Sequence, residues 1–256
     1  MVELQNGTRI AVVTGASRGI GASIAEALGR QGRHMVLVER SADKLEVVKS
    51  AIESVGGTES VKPCDVTDQP ALEAMIESVG SEYKRLDILV NNAGKSAAAG
   101  LEEIDDAEWQ ADINLKVMAA VRACRRVIPI MRERGGGAIV NATIVGGKAP
   151  AAKSLPTTVS RAAGINLTKS LANEYAVDRI RVNTVCIGLL KSEQWVRRAG
   201  NEDPEELYRK LSKQVPLGRI GEAEEYADLV TFLVSDRAAY LTGVAVNIYG
   251  GLSDAV

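Results

Sequence analysis

Three glycines carry the clearest chemistry in the chain. In "AVVTGASRGIGASIAEAL", Gly15, Gly19 and Gly21 follow an apolar run and open an amphipathic one. Glycine is needed where the backbone turns tightly and where a pyrophosphate approaches main-chain N–H groups at a helix N-terminus. An acidic residue, Glu39, closes the next apolar run, where a carboxylate would hydrogen-bond an adenosine ribose. The pattern predicts a dinucleotide site. Other chemistry is scarce. The single histidine, His34, heads an apolar run and is read as structural, which removes every mechanism built on a Ser–His or Cys–His pair. Cys64, Cys124 and Cys186 lie far apart, so neither a disulfide scaffold nor a metal site is expected.

The elements that must position these residues alternate almost from end to end. Strands are predicted at 10–13, 34–38, 60–62, 88–91, 137–141, 181–186 and 245–248, and helices at 19–31, 42–55, 69–83, 106–134, 157–177 and 222–234. Short, wholly apolar strands separated by helices imply one α/β domain spanning 1–256: a Rossmann-type, doubly wound parallel sheet of about seven strands with helices on both faces. The region 189–216 is charged and irregular, with Trp195 and Tyr208, and is a candidate flap over the carboxyl end of the sheet. With 256 residues, a net charge of −2 and interspersed signs, the chain offers no stripe for nucleic acid. No apolar run is long enough to span a bilayer, and the N-terminus does not read as a signal peptide, so a cytoplasmic location is expected.

Four segments, "TGASRGIG" (14–21), "CDVTD" (64–68), "NNAG" (91–94) and "PLGRIGEAEEYADLVTFLVSDRAAYLTG" (216–243), resemble the short-chain dehydrogenase/reductase family over essentially the whole chain. The resemblance implies a nicotinamide cofactor and a dimer or tetramer. It implies that Gly15, Ser17, Arg18, Gly19, Ile20 and Gly21 wrap the phosphates, that Asp65 and Val66 flank the adenine, and that Asn92, Ala93 and Gly94 line the cleft. Glu39 would repel a 2′-phosphate that Arg18 and Arg40 would attract, and a carboxylate aimed at the ribose hydroxyls favours NAD over NADP.

The same resemblance exposes a gap. The family transfers hydride with Asn, Ser, Tyr and Lys acting together. Asn114 in "DINLKV" keeps the first position, but Ile144, Thr157 and Arg161 fall at the serine, tyrosine and lysine positions. Isoleucine has no donor, threonine is a far weaker acid than a phenol, and arginine stays protonated. A further departure, Ile187–Gly188 in place of Pro-Gly, loosens the loop beside the nicotinamide, so weak or vestigial NAD binding is expected.

The helical segments 106–134 and 157–177, the family's usual dimer surface, carry small apolar residues over much of their circumference, with Ala120 and Ile165 as candidate contact positions. The leading expectation is therefore a non-catalytic subunit paired with an active homologous NAD-dependent subunit in a mixed dimer or tetramer. Hydroxyacyl-CoA dehydrogenases of the benzylsuccinate-pathway type offer one such precedent. The alternatives are an active NAD(P)-dependent short-chain oxidoreductase with a displaced catalytic set, and a nucleotide-sensing regulator.

Overall fold

A computed structural model describes residues 4–5, 7–200 and 203–255. The chain runs β1 (Ile10–Thr14), α1 (Gly19–Arg30), β2 (His34–Glu39), α2 (Glu46–Ser54), β3 (Thr58–Pro63), α3 (Gln69–Tyr83), β4 (Ile88–Asn91) and α4 (Asp106–Ile113). It continues through α5 (Ala119–Glu133), β5 (Gly137–Ile144), α6 (Thr157–Tyr175), β6 (Ile180–Ile187), α7 (Glu193–Ala199), α8 (Pro204–Ser212), α9 (Ala223–Leu233) and β7 (Ala245–Ile248). The strands form one seven-stranded sheet in the order β3-β2-β1-β4-β5-β6-β7, every pairing parallel. Strands such as "IAVVT" and "HMVLVE" are apolar without alternation because helices cover both faces. Leu28, Ile52 and Tyr226 fill the core under α1, α2 and α9 on one face, and Ile76, Val127 and Ala172 fill that under α3, α5 and α6 on the other. Among the described residues no helix is long and apolar enough to cross a membrane.

The long helical stretch predicted at 106–134 is not continuous. Between α4 and α5 the turn Asn114–Met118 widens, and the Ala119 N–H reaches back five residues to the Asn114 carbonyl. Such bulges recur at functional sites; this one carries Lys116 and follows Asp112 at the end of α4, both buried. Composition does not show it, because one extra residue leaves the apolar content unchanged and shifts only the phase of the side chains that follow.

Two further expectations change. The stretch 189–216 holds α7 and α8 rather than an irregular flap. Asp203 caps α8 by accepting from the Glu205 N–H, Pro204 opens its first turn, and buried Tyr208 packs with Val215 and Ile220 in a small core of its own. Nor are α5 and α6 apolar all round. The small residues of α5, Ala119, Ala120 and Ala123, face the chain's own sheet, while Arg125 and Arg126 face outward. On α6 the exposed positions include Asn166, Lys169, Ser170, Asn173 and Glu174 beside Val159 and Ala162. Ala120 is thus core, and an Asp there would disrupt the domain rather than a partner contact.

His34 is structural. Its ring is fully buried between the hydroxyls of Thr58 (2.9 Å) and Tyr83 (3.1 Å). Burial pushes its pKa from 6.5 down to about 4, against a smaller upward pull from Glu82. Above pH 6.5 the ring is neutral in both folded and unfolded chains. Between about 6.5 and 4 only the unfolded chain takes up the proton, so this site removes up to about 3 kcal/mol of stability as the pH falls through that window. Urea titrations at pH 7 and pH 4.5 should show this loss in the parent chain and a smaller one in His34→Gln.

Candidate functional site

The nucleotide end is built where β1 and β4 finish side by side. The Thr14 hydroxyl accepts from the N–H groups of Asn92 (3.0 Å) and Ala93 (3.1 Å), and the Asn92 amide donates to the carbonyls of Thr14 (3.0 Å) and Gly15 (3.1 Å). This clamp leaves no room for a side chain at Gly15 or Gly21. Gly15 has φ +67°, and a Cβ on Gly21 would run into the Gly15 carbonyl oxygen. Gly19, at φ +51°, opens α1, whose first turn carries no acidic residue and no side-chain cap. Its N–H groups are set to receive an anion. Ile20 packs onto the core, and Arg18 is exposed at the mouth of the turn.

The adenosine side is equally ordered. Glu39 ends β2 with one carboxylate oxygen accepting from the Ser17 hydroxyl (3.2 Å) and the other from the Arg40 N–H (2.9 Å). Asp65 accepts from both the hydroxyl (2.7 Å) and the N–H (2.9 Å) of Thr67 on a single oxygen, which holds its carboxyl below the usual range, chiefly through the hydroxyl bond. Val66 is buried beneath it. An uncapped helix start, a turn that excludes Cβ atoms and a carboxylate at the end of β2 fit a dinucleotide. The structure brings these predicted residues together.

The opposite end of the cleft is formed by α4, α5, β5 and α6. Asn114 turns its side chain to the 65–67 loop, donating to the Thr67 carbonyl (3.4 Å) and accepting from Arg122 (2.8 Å). Ile144 closes β5 beside Gly146 and presents no polar atom. Thr143 points elsewhere, its hydroxyl on Thr184 (2.8 Å). Arg161 donates to the Ala142 carbonyl (2.5 Å), and its second terminal nitrogen stands against Gly94, 2.5 Å from where a Cβ would sit. Burial lowers its pKa, but a guanidinium remains a cation.

A polar group that the sequence reading passed over surrounds Thr157. Lys116 pairs with Asp112 one turn back on the bulged helix and donates to the Thr157 hydroxyl at 3.0 Å. The other Asp112 oxygen accepts from Ser160 at 2.6 Å. Thr157 also accepts from the N–H of Ala97 at 3.0 Å, three residues beyond Gly94. All four side chains are buried. Burial pulls the Lys116 ammonium down to about 8, opposed by its bond to Asp112 and reinforced by the charges of Arg161 and Lys95. The available signal was the Asp112–Lys116 spacing of four inside an apolar stretch, which places a charge pair on the inward side of a helix.

Comparison with known proteins agrees with this geometry. A family profile described as enoyl-(acyl carrier protein) reductase matches residues 15–253. The chain is 31% identical over 244 residues to the 3-oxoacyl-(acyl-carrier-protein) reductase FabG of Thermotoga maritima, covering 95% of this chain and 97% of that protein. The crystal structure of L-sorbose reductase from Gluconobacter frateurii, complexed with NADPH and L-sorbose, superposes with a TM-score of 0.93 at 35% identity, covering 97% of this chain and 98% of that one. A short-chain type dehydrogenase/reductase from Mycobacterium ulcerans superposes with a TM-score of 0.89 at 26% identity, covering 98% and 91% of the two chains.

The glycine turn supplies a direct test. Gly21→Ala places a methyl group against the Gly15 carbonyl and should weaken nucleotide binding at least about tenfold, or about 1.4 kcal/mol. Calorimetric titration of the variant against the parent chain measures the difference.

Proposed function

Because the chain belongs to the short-chain dehydrogenase/reductase family, we propose that it is a nicotinamide-dependent oxidoreductase interconverting a carbonyl and a hydroxyl group, with a proton-handling set other than the usual tyrosine and lysine. A cytoplasmic location is part of this proposal. The observation that carries it is Arg161, whose guanidinium abuts Gly94 and so keeps a cation beside the cofactor cleft. When bound, the nicotinamide supplies or accepts the hydride. The first-turn N–H groups of α1 hold the pyrophosphate, Glu39 and Asp65 orient the adenosine half, and Arg161 with the 92–94 segment fixes the nicotinamide half. The activities of the relatives make 3-oxoacyl thioesters and ketoses the first carbonyl classes to try.

We propose that both NAD and NADP bind. The Glu39 carboxylate favours NAD, Arg18 and Arg40 soften that preference, and the L-sorbose reductase relative was solved with NADPH. In Glu39→Ala the ratio of the two dissociation constants should move toward NADP by about tenfold, the gain from relieving one unfavourable charge contact. Unchanged preference would remove Glu39 from the ribose.

A second reading keeps the fold without its chemistry, as a non-catalytic subunit of a mixed assembly with an active homologue. Ile144 favours it, since no donor there can hold a carbonyl oxygen. One assay separates the two. Turnover of the purified chain with reduced cofactor and the two carbonyl classes, on the order of 1 s⁻¹, supports the oxidoreductase. Absent turnover, together with co-purification of an active homologue on co-expression, supports the subunit.

A further inference from the structure

We propose that Thr157 delivers the proton to the substrate oxygen and that Lys116, held by Asp112 and Ser160, replaces that proton from behind. This deepens the oxidoreductase reading and rests on it.

Position supports the assignment. Thr157 and Arg161 are four residues apart on α6 and share one face. Arg161 abuts Gly94, and Thr157 is tied to Ala97 in the same segment, so the hydroxyl lies one turn from the group beside the cofactor cleft. Thr157 Oγ1 accepts two hydrogen bonds, from Ala97 and Lys116, and among the described residues its own proton has no acceptor. A hydroxyl filled on its accepting side is oriented to donate.

The chemistry balances. In the reductive direction the carbonyl carbon takes a hydride, with its two electrons, while its oxygen takes the Thr157 proton. As that O–H bond breaks, Oγ1 takes a proton from Lys116 Nζ, so no free alkoxide is left on a weakly acidic alcohol. Lys116 ends as a neutral amine beside the Asp112 carboxylate; because its side chain is buried, it regains its proton through Thr157 Oγ1, which takes one from solvent water once the product has left. A donor works best when its pKa lies near the working pH, and Lys116 is pulled down to about 8. The charged groups acting on it are Asp112 from α4, Arg161 from α6 and Lys95 from the loop after β4. The two cations favour proton loss, while Asp112 opposes it and fixes the geometry. A pair placed here only for stability would be a poor device, since desolvating two charges offsets their attraction.

The test uses the full chain with reduced cofactor and a carbonyl substrate it turns over. Thr157→Val keeps the shape of the side chain and should lower kcat by about 100-fold, the usual worth of a positioned proton donor, with KM and nucleotide affinity little changed. Thr157→Ser should restore most of the rate. In the parent, kcat for reduction should fall as the pH rises through about 8, where Lys116 loses its proton, and kcat for oxidation should rise across the same range. Lys116→Met should abolish that limb in both directions. Tyr226, a buried phenol without a hydrogen-bond partner among the described residues, is the control, and Tyr226→Phe should leave kcat unchanged. Parental kcat in Thr157→Val, or an intact limb near pH 8 in Lys116→Met, would overturn the relay while leaving the oxidoreductase reading in place. A rate lost in Tyr226→Phe and kept in Thr157→Val would overturn it in favour of the phenol. No turnover by the parent chain on either carbonyl class would overturn the oxidoreductase reading and the relay together.

Discussion

The junction of β1 and β4 sets the position of everything else in the cleft. One buried threonine hydroxyl and one asparagine amide tie the two strand ends together through four hydrogen bonds. Each polar atom used there would be costly to bury unpaired, so the arrangement is all or none. Once it forms, the glycine turn has a single path, α1 starts at a fixed distance from the sheet, and the 92–97 segment is aimed at α6. Arg161 and Thr157 touch that segment at Gly94 and Ala97. Nucleotide cradle and polar group are therefore two sides of one clamp.

Charge is distributed unevenly along the cleft. The adenosine end carries Glu39 and Asp65, both carboxylates tied down by hydroxyls. At the far end, Arg161, Lys116 and Lys95 confront the single carboxylate of Asp112. Arg161 keeps a positive charge at that end of the cleft. It fixes that charge permanently, and any group that must change protonation state has to be a different one. Lys116, drawn down toward neutrality, is the residue the structure offers.

Much of this was legible in the residues. Apolar strands between amphipathic helices give the parallel sheet, and the strands lie where their apolar runs place them, except that β3, "TESVKP" at the sheet edge, has only Val61 to mark it. Gly15 and Gly21, where a Cβ would be crowded, and Gly19, with its positive φ, marked the nucleotide turn. The bulge at Asn114–Met118 was hidden because an extra residue per turn leaves composition intact and alters only which side chains face inward. Lys116 was overlooked for the same reason, since a lysine in an apolar helix is ordinarily solvated. α7 and α8 were missed because their apolar residues are few and pack into a small separate core with Val215 and Ile220. Alanines on α5 read as surface for a partner, whereas small side chains let that helix approach its own sheet closely.

Because β1 lies between β2 and β4, the sheet cannot be completed in the order in which the chain is made. β1 and β2 pair early, yet the other side of β1 stays open until Ile88–Asn91 has been synthesised, after which each new strand adds beside the last, out to β7. At translation rates of about 5–20 residues per second, that wait lasts several seconds. Throughout it, "IAVVT" presents an apolar strand edge with unpaired N–H and C=O groups, the kind of surface that recruits other chains. Nascent β1 is accordingly where a growing copy of this protein most needs a chaperone, and the arrival of Asn92, which closes the clamp on Thr14, ends the exposure.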